Sequence, residues 1–123
     1  MKKLALLLVV ASLLVASPKI SFGVDAGTIL LDDCRQALKG PDSYGLNFIA
    51  AARCFGYLEG ITNTNFWYQR MKTDTAFCLP ENSITNNEAA TIVVKYLEKH
   101  PEDLRKPKFL LVLDAFKESF PCR

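Results

Sequence analysis

Four cysteines, Cys34, Cys54, Cys78 and Cys122, and one histidine, His100, are the residues whose spacing decides what chemistry is open to this chain. Thiolates hold zinc when they come in close pairs, and here no two lie closer than the twenty positions between Cys34 and Cys54. The CxxC spacing of a redox dithiol and the CxxCH spacing of a haem attachment are both missing. A serine or cysteine hydrolase needs a base beside its nucleophile, and the sole imidazole stands directly before Pro101. That is the place of a helix C-terminal residue held by the helix dipole. Asp32, Asp33, Glu59, Asp74 and Glu81 could furnish a carboxylate pair of the glycosidase kind. Acids scattered along amphipathic helices read more simply as a solvated face. The expectation is a protein without catalytic residues, metal or cofactor, whose cysteines are structural.

Spacing also suggests how the cysteines pair. Cys34 and Cys54 are equidistant from position 44, within the turn-rich segment from Gly40 to Gly45, and Cys78 and Cys122 are equidistant from His100. Residues equidistant from a turn become neighbours when the chain folds back. The arithmetic favours two helical hairpins closed by Cys34–Cys54 and Cys78–Cys122, although four cysteines allow three pairings.

Export is consistent with disulfides. Lys2 and Lys3 precede an apolar run from Leu4 to Ala16, followed by small residues, the layout of a secretory signal. The run is too short for a membrane span of about 20 residues. Cleavage is expected after Gly23, with Ala26 as second choice, leaving residues 24–123 as a single domain in the periplasm and no membrane attachment. Removing Lys2, Lys3 and Lys19 from the fifteen basic residues leaves twelve against thirteen acidic ones, so the formal charge falls from +2 to −1. No basic, phosphate-tracking surface remains, and nucleic acid is not expected as a partner.

The exported part reads as all-α, a compact bundle of four main helices. The first spans Thr28 to Lys39 and stops at Gly40 and Pro41. The second, from Asn47 to about Tyr68, places Phe48, Ala51, Ala52, Phe55, Leu58 and Ile61 at helical spacing. The third opens on a capping box, Thr85 with Glu88, shows Ala89, Ile92, Val93, Tyr96 and Leu97 on one face, and ends near His100. The fourth starts around Pro107, carries Phe109, Val112, Leu113, Phe116 and Phe120, and is closed by Pro121. The least regular stretch runs from Thr62 to Ser83, a length often functional in a small domain.

Two groups within the second helix point to contacts. Gly56 and Gly60, flanking Tyr57, each cost about 1 kcal/mol relative to alanine in a helix. They share a face, which suggests close helix packing, inside the monomer or against a partner chain. Phe66, Trp67 and Tyr68 are consecutive, and at about 100° per residue they cannot all enter one core. Flanked by Asn65 and Arg70, they form either a helix end folded over the core or a binding surface rich in the residue types of interface hot spots.

The runs CFGYLEG (54–60), FCLP (77–80), VVKYLEKHPEDL (93–104) and FPC (120–122), in this order within an exported cysteine framework, resemble the Rap/Tai immunity proteins. These are antidotes to amidase effectors of type VI secretion, and the similarity runs from about Asp32 to Cys122. The resemblance implies an all-helical periplasmic protein, commonly a homodimer, that blocks a papain-like peptidoglycan amidase by steric occlusion. Its quoted residues match structural positions, so the contact stretch expected here, from Asn63 to Lys72 with Asn65, Phe66, Trp67, Tyr68 and Arg70, comes from this chain's own residues. The competing expectation is a small periplasmic stress or chaperone-like helical protein with no toxin partner.

Overall fold

The computed structural model describes residues 24–123, so the expected signal segment lies outside the described residues. Four α-helices follow in order: α1 (Ala26–Ala37), α2 (Phe48–Arg70), α3 (Asn86–Lys99) and α4 (Lys108–Ser119), with a 3-10 turn at Pro101–Asp103 between the last two. No strand occurs among the described residues, and no helix there is long and apolar enough to cross a membrane. α1 and α2 form the first hairpin and α3 and α4 the second.

Both disulfides join the expected partners, Cys34 with Cys54 and Cys78 with Cys122. The first is fully buried where α1 crosses α2. Beside it, Asp33 accepts from Arg53 Nε at 3.0 Å and from a terminal guanidinium nitrogen at 2.6 Å. The hydrogen-bonded carboxylate raises the Arg53 pKa further above its already high ordinary value. A covalent and an ionic tie thus share one crossing. Arg35 of α1 reaches Glu98 of α3 at 2.9 Å, and the second disulfide ties the segment before α3 to the residues after α4.

The first tie explains why the inward face of α2 differs from the expected stripe. Pinning Cys54 inward sets the helix rotation, so Ala50, Cys54, Leu58, Thr62 and Asn65 are buried, while Phe48 is exposed and Ala52 lies at the surface. α4 shows the same shift. Leu111, Val112, Ala115 and Phe116 enter the core, and Phe109 is left outside. The core is completed by Leu30 and Leu31 of α1, by Ala90, Val93 and Leu97 of α3, and by Phe77, whose ring lies 4.9 Å from that of Phe116. Burying a side chain of that size contributes about 1.5–3 kcal/mol.

Several boundaries also move. α1 begins two residues earlier than expected, because Gly27 sits against the 104 region and its N–H donates to the Leu104 carbonyl at 2.9 Å. Asn47 is the N-cap of α2, accepting from Ala50 N–H at 3.1 Å. The Thr85–Glu88 capping box is present in both directions, and those hydrogen bonds hold the Glu88 carboxyl below its ordinary range. Pro107 takes the N-cap of α4 rather than its first turn. Residues 62–70, where the expected second helix overlapped the expected irregular stretch, are helical: Thr62 returns its hydroxyl to the Leu58 carbonyl at 3.0 Å instead of breaking the helix. The irregular segment is 71–84.

Candidate partner-binding surface

The C-terminal half of α2 organises the surface. Asn65 and Gln69 lie four apart on one face, and both are spent on the 71–84 segment. Asn65 donates to the Phe77 carbonyl at 2.7 Å. Gln69 donates to the Leu79 carbonyl at 2.7 Å and accepts from Leu79 N–H at 2.8 Å, pairing with backbone as a strand neighbour would. Asn65 is therefore buried and structural, a correction to its expected place among the contact residues. Asn65→Ala should cost about 1–3 kcal/mol in urea unfolding, since the buried Phe77 carbonyl loses its partner; an unchanged midpoint would contradict this role.

The neighbouring side chains point elsewhere. Phe66 is half-buried, with the Arg70 guanidinium 4.8 Å over its ring, and Arg70 also approaches the Glu81 carbonyl at 3.4 Å. Trp67 is 64% exposed, so it is no lid on the core, and Tyr68 is 49% exposed. Tyr68 forms one wall of a shallow groove of about 300 Å³. Phe109 of α4 stands opposite at 51% exposure, Ile61, Phe77 and Leu113 lie between, and Thr64 and Asp74 add polar groups. Leu110 and Met71 are exposed as well. Exposed aromatic and aliphatic side chains gathered around a groove mark a surface that meets another molecule.

Gly56 and Gly60 do not pack within the monomer, contrary to the first expectation for them. A Cβ added at either would meet nothing within 4 Å. The inward rotation of Cys54 turns both outward. Tyr57 does pack, half-buried beneath Lys108, whose ammonium lies 5.6 Å from the ring; burial pushes its phenol above the ordinary pKa.

The remaining clusters are structural. His100 closes α3, stacks on Tyr96 with ring centroids 4.5 Å apart, and places Nδ1 at 3.3 Å from Glu102. His100, Glu102 and Asp103 bring possible metal-ligand atoms within 4.8 Å of one another. Asp103 is engaged by Lys106 at 2.8 Å, and Glu118 nearby by Lys99 at 2.9 Å. Those lysines hold both carboxyls below their ordinary range, the behaviour of an ion-pair network joining α3, the turn and α4. A larger cleft of about 700 Å³ lies at the α1–α2 turn. Its Gln36 and Thr91 side chains are occupied by Asn47 N–H and the Asn87 carbonyl.

Exposed aromatics around a groove, on a bundle tied by two disulfides, make a surface equipped to bind. The model of the Rap1a immunity proteins matches residues 26–122, from the first residue of α1 to Cys122. The chain belongs to the Rap1a immunity protein family. All four helices and both disulfides of this Rap1a protein fall within the matched region, in agreement with the resemblance carried by the sequence runs. No curated protein and no solved structure matches it. Membership makes it an immunity protein, whose task is to bind a toxin. Trp67 and Tyr68, marked in the sequence as contact candidates, are exposed, and so are Phe109 and Leu110, which the helical period assigned to the core or left unmarked. Asn65 and Gln69 at a spacing of four, two amides on one face, were the available sign that this turn of α2 serves the adjoining segment.

Proposed function

We propose that this chain is an exported periplasmic immunity protein that binds a peptidoglycan amidase effector of type VI secretion and occludes its active-site cleft. The observation that carries this reading is the apolar groove lined by Tyr68 and Phe109, presented by a bundle that two disulfides hold rigid, in a member of an immunity family. A cell-wall amidase acts outside the inner membrane, and an antidote must be present where the wall is; an export segment and disulfides suit that compartment. Neutralisation is steric: the surface covers the cleft, and the effector's catalytic groups meet no substrate. The resemblance further favours a homodimer.

The test is calorimetric titration of the mature, oxidised protein with purified amidases encoded beside it, together with co-expression in the periplasm. Tight binding and restored growth are expected. Tyr68→Ala combined with Phe109→Ala should weaken binding by about 1,000-fold, since central aromatic anchors carry about 2 kcal/mol or more each. If no such amidase is bound or silenced, the amidase reading falls.

A further inference from the structure

The groove between Tyr68 and Phe109 carries a single charge. Asp74 is the one ionised group in its lining, and the remaining residues there are apolar, aromatic or neutral and polar. Asp74 is exposed and forms no ion pair among the described residues. Lys108, the cation next to Phe109 in sequence, is held over the Tyr57 ring and does not line the groove. The loop that carries Asp74 is tied down on both sides, by Asn65 and Gln69 of α2 and by the Cys78–Cys122 bridge. Its carboxylate is thus a fixed negative charge waiting for a counterion. Gly60 keeps the space beside it open. That glycine lines the groove, a Cβ added to it would meet nothing within 4 Å, and in a helix it costs about 1 kcal/mol relative to alanine. No contact inside the monomer requires a glycine there; room for an incoming side chain does.

Two aromatic walls, a floor of Ile61, Phe77 and Leu113, and one carboxylate suit a cation on an apolar stem. A guanidinium answers this arrangement better than an ammonium. Its plane stacks on aromatic rings while its fork donates two hydrogen bonds to a carboxylate. An acidic side chain would meet like charge at Asp74, and an apolar one would cover that carboxylate without pairing it. The volume of about 300 Å³ has room for one long side chain. We infer that the groove receives an arginine side chain of the bound toxin, its stem on the Ile61–Leu113 floor and its guanidinium between Tyr68 and Phe109, paired with Asp74. The inference rests on the proposed function, in which this groove meets the effector, and adds what the effector must present: an exposed arginine. Stacking on the two rings supplies affinity, and Asp74 selects the charge.

Titration of the mature, oxidised protein with N-acetyl-arginine amide, followed through its backbone amide resonances, tests the site without an effector. The probe should shift Gly60, Asp74 and Phe109 together; the lysine analogue should shift them less and the glutamate analogue not at all. Asp74→Asn should leave helix content and melting unchanged, because the carboxylate is exposed and unpaired, and weaken the probe by about tenfold. Gly60→Leu fills the groove from open space and should abolish probe binding while the bundle still folds. For an amidase that binds, Asp74→Asn should raise Kd by about tenfold at low salt and by less at high salt. Replacing one surface arginine of the amidase by glutamine should cost as much, with no further loss when the two changes are combined. A groove that ignores the arginine probe would overturn the inference, as would choline shifting the same resonances equally or an amidase held equally well by wild type and Asp74→Asn. If no amidase encoded beside the protein binds while the arginine probe still seats against Asp74, the amidase reading falls and the arginine assignment stands for a toxin of another class.

Discussion

Replacing Cys34 and Cys54 together by alanine should lower the unfolding free energy by more than 3 kcal/mol, the largest effect expected of any change in the bundle. The loop they close spans 20 residues, and the chain-entropy model assigns such a loop about 3 kcal/mol. The 44-residue loop of Cys78–Cys122 gives about 4 kcal/mol on the same model. The position of the shorter bridge reverses the order. Cys34 and Cys54 are both buried, whereas Cys122 is at the surface beside the chain end, so only the first replacement also leaves a void in the core. Loosening that crossing further frees the buried Asp33 carboxylate from the grip of Arg53. Urea unfolding of the mature protein measures the difference; for a domain of this size a loss of 3 kcal/mol moves the midpoint by about 2 M. Since whole domains are stable by about 5–15 kcal/mol, such a loss removes roughly a fifth to more than half of the total. A loss under about 1 kcal/mol would show that the bridge does not govern this crossing.

Gly27→Ala is the second large effect. A Cβ at Gly27 would stand 2.6 Å from the Leu104 carbonyl oxygen, 2.7 Å from its Cα and 2.8 Å from Leu111 Cδ1. Side chains move aside cheaply, but two of these three atoms are backbone. The same contact carries the Gly27 N–H bond to Leu104, so relief of the clash must break the bond that fixes the start of α1 to the turn before α4. Overpacking costs about 1–3 kcal/mol. The rigid neighbours place this substitution at the upper end, and Gly27→Val beyond it. The comparison that decides is Gly60→Ala, whose Cβ meets nothing and which gains about 1 kcal/mol of helix propensity. Thermal melts should move in opposite directions for the two variants; equal shifts would refute the account.

The fold was legible where one residue type has one physical use. Cysteine spacing about the turns gave the correct bridges, the Thr85–Glu88 box set the start of α3, and Pro101 set its end. Helical period gave the existence of α2 and α4 but rotated their inward faces, because periodicity identifies a stripe without saying which edge of it is deepest. In α2 that rotation is decided by Cys54, a long-range covalent constraint that hydrophobic pattern does not contain. The candidate surface was half legible for the same reason. Three consecutive aromatics announce that some must be exposed, whereas the contribution of Phe109 depends on how α4 lies beside α2. The two α2 glycines were correctly marked as unusual. Their surroundings could be known only from the packed chain, and the open space around them inverted the first explanation.

Near the two ends of the segment 71–84, Lys72 and Ser83 lie in the left-handed backbone region with φ of 56° and 61°. Such conformations cost on the order of 1 kcal/mol each for residues other than glycine. They persist because Asn65, Gln69 and the Cys78–Cys122 bridge hold the segment between them. A loop fixed in this way has already lost its freedom before it meets anything. Capture of an effector then needs no folding step and gives up little chain entropy, and differences among variants should be felt mainly in the dissociation rate. For an immunity protein, the quantity set by those two amides and one bridge is the residence time of the toxin it binds.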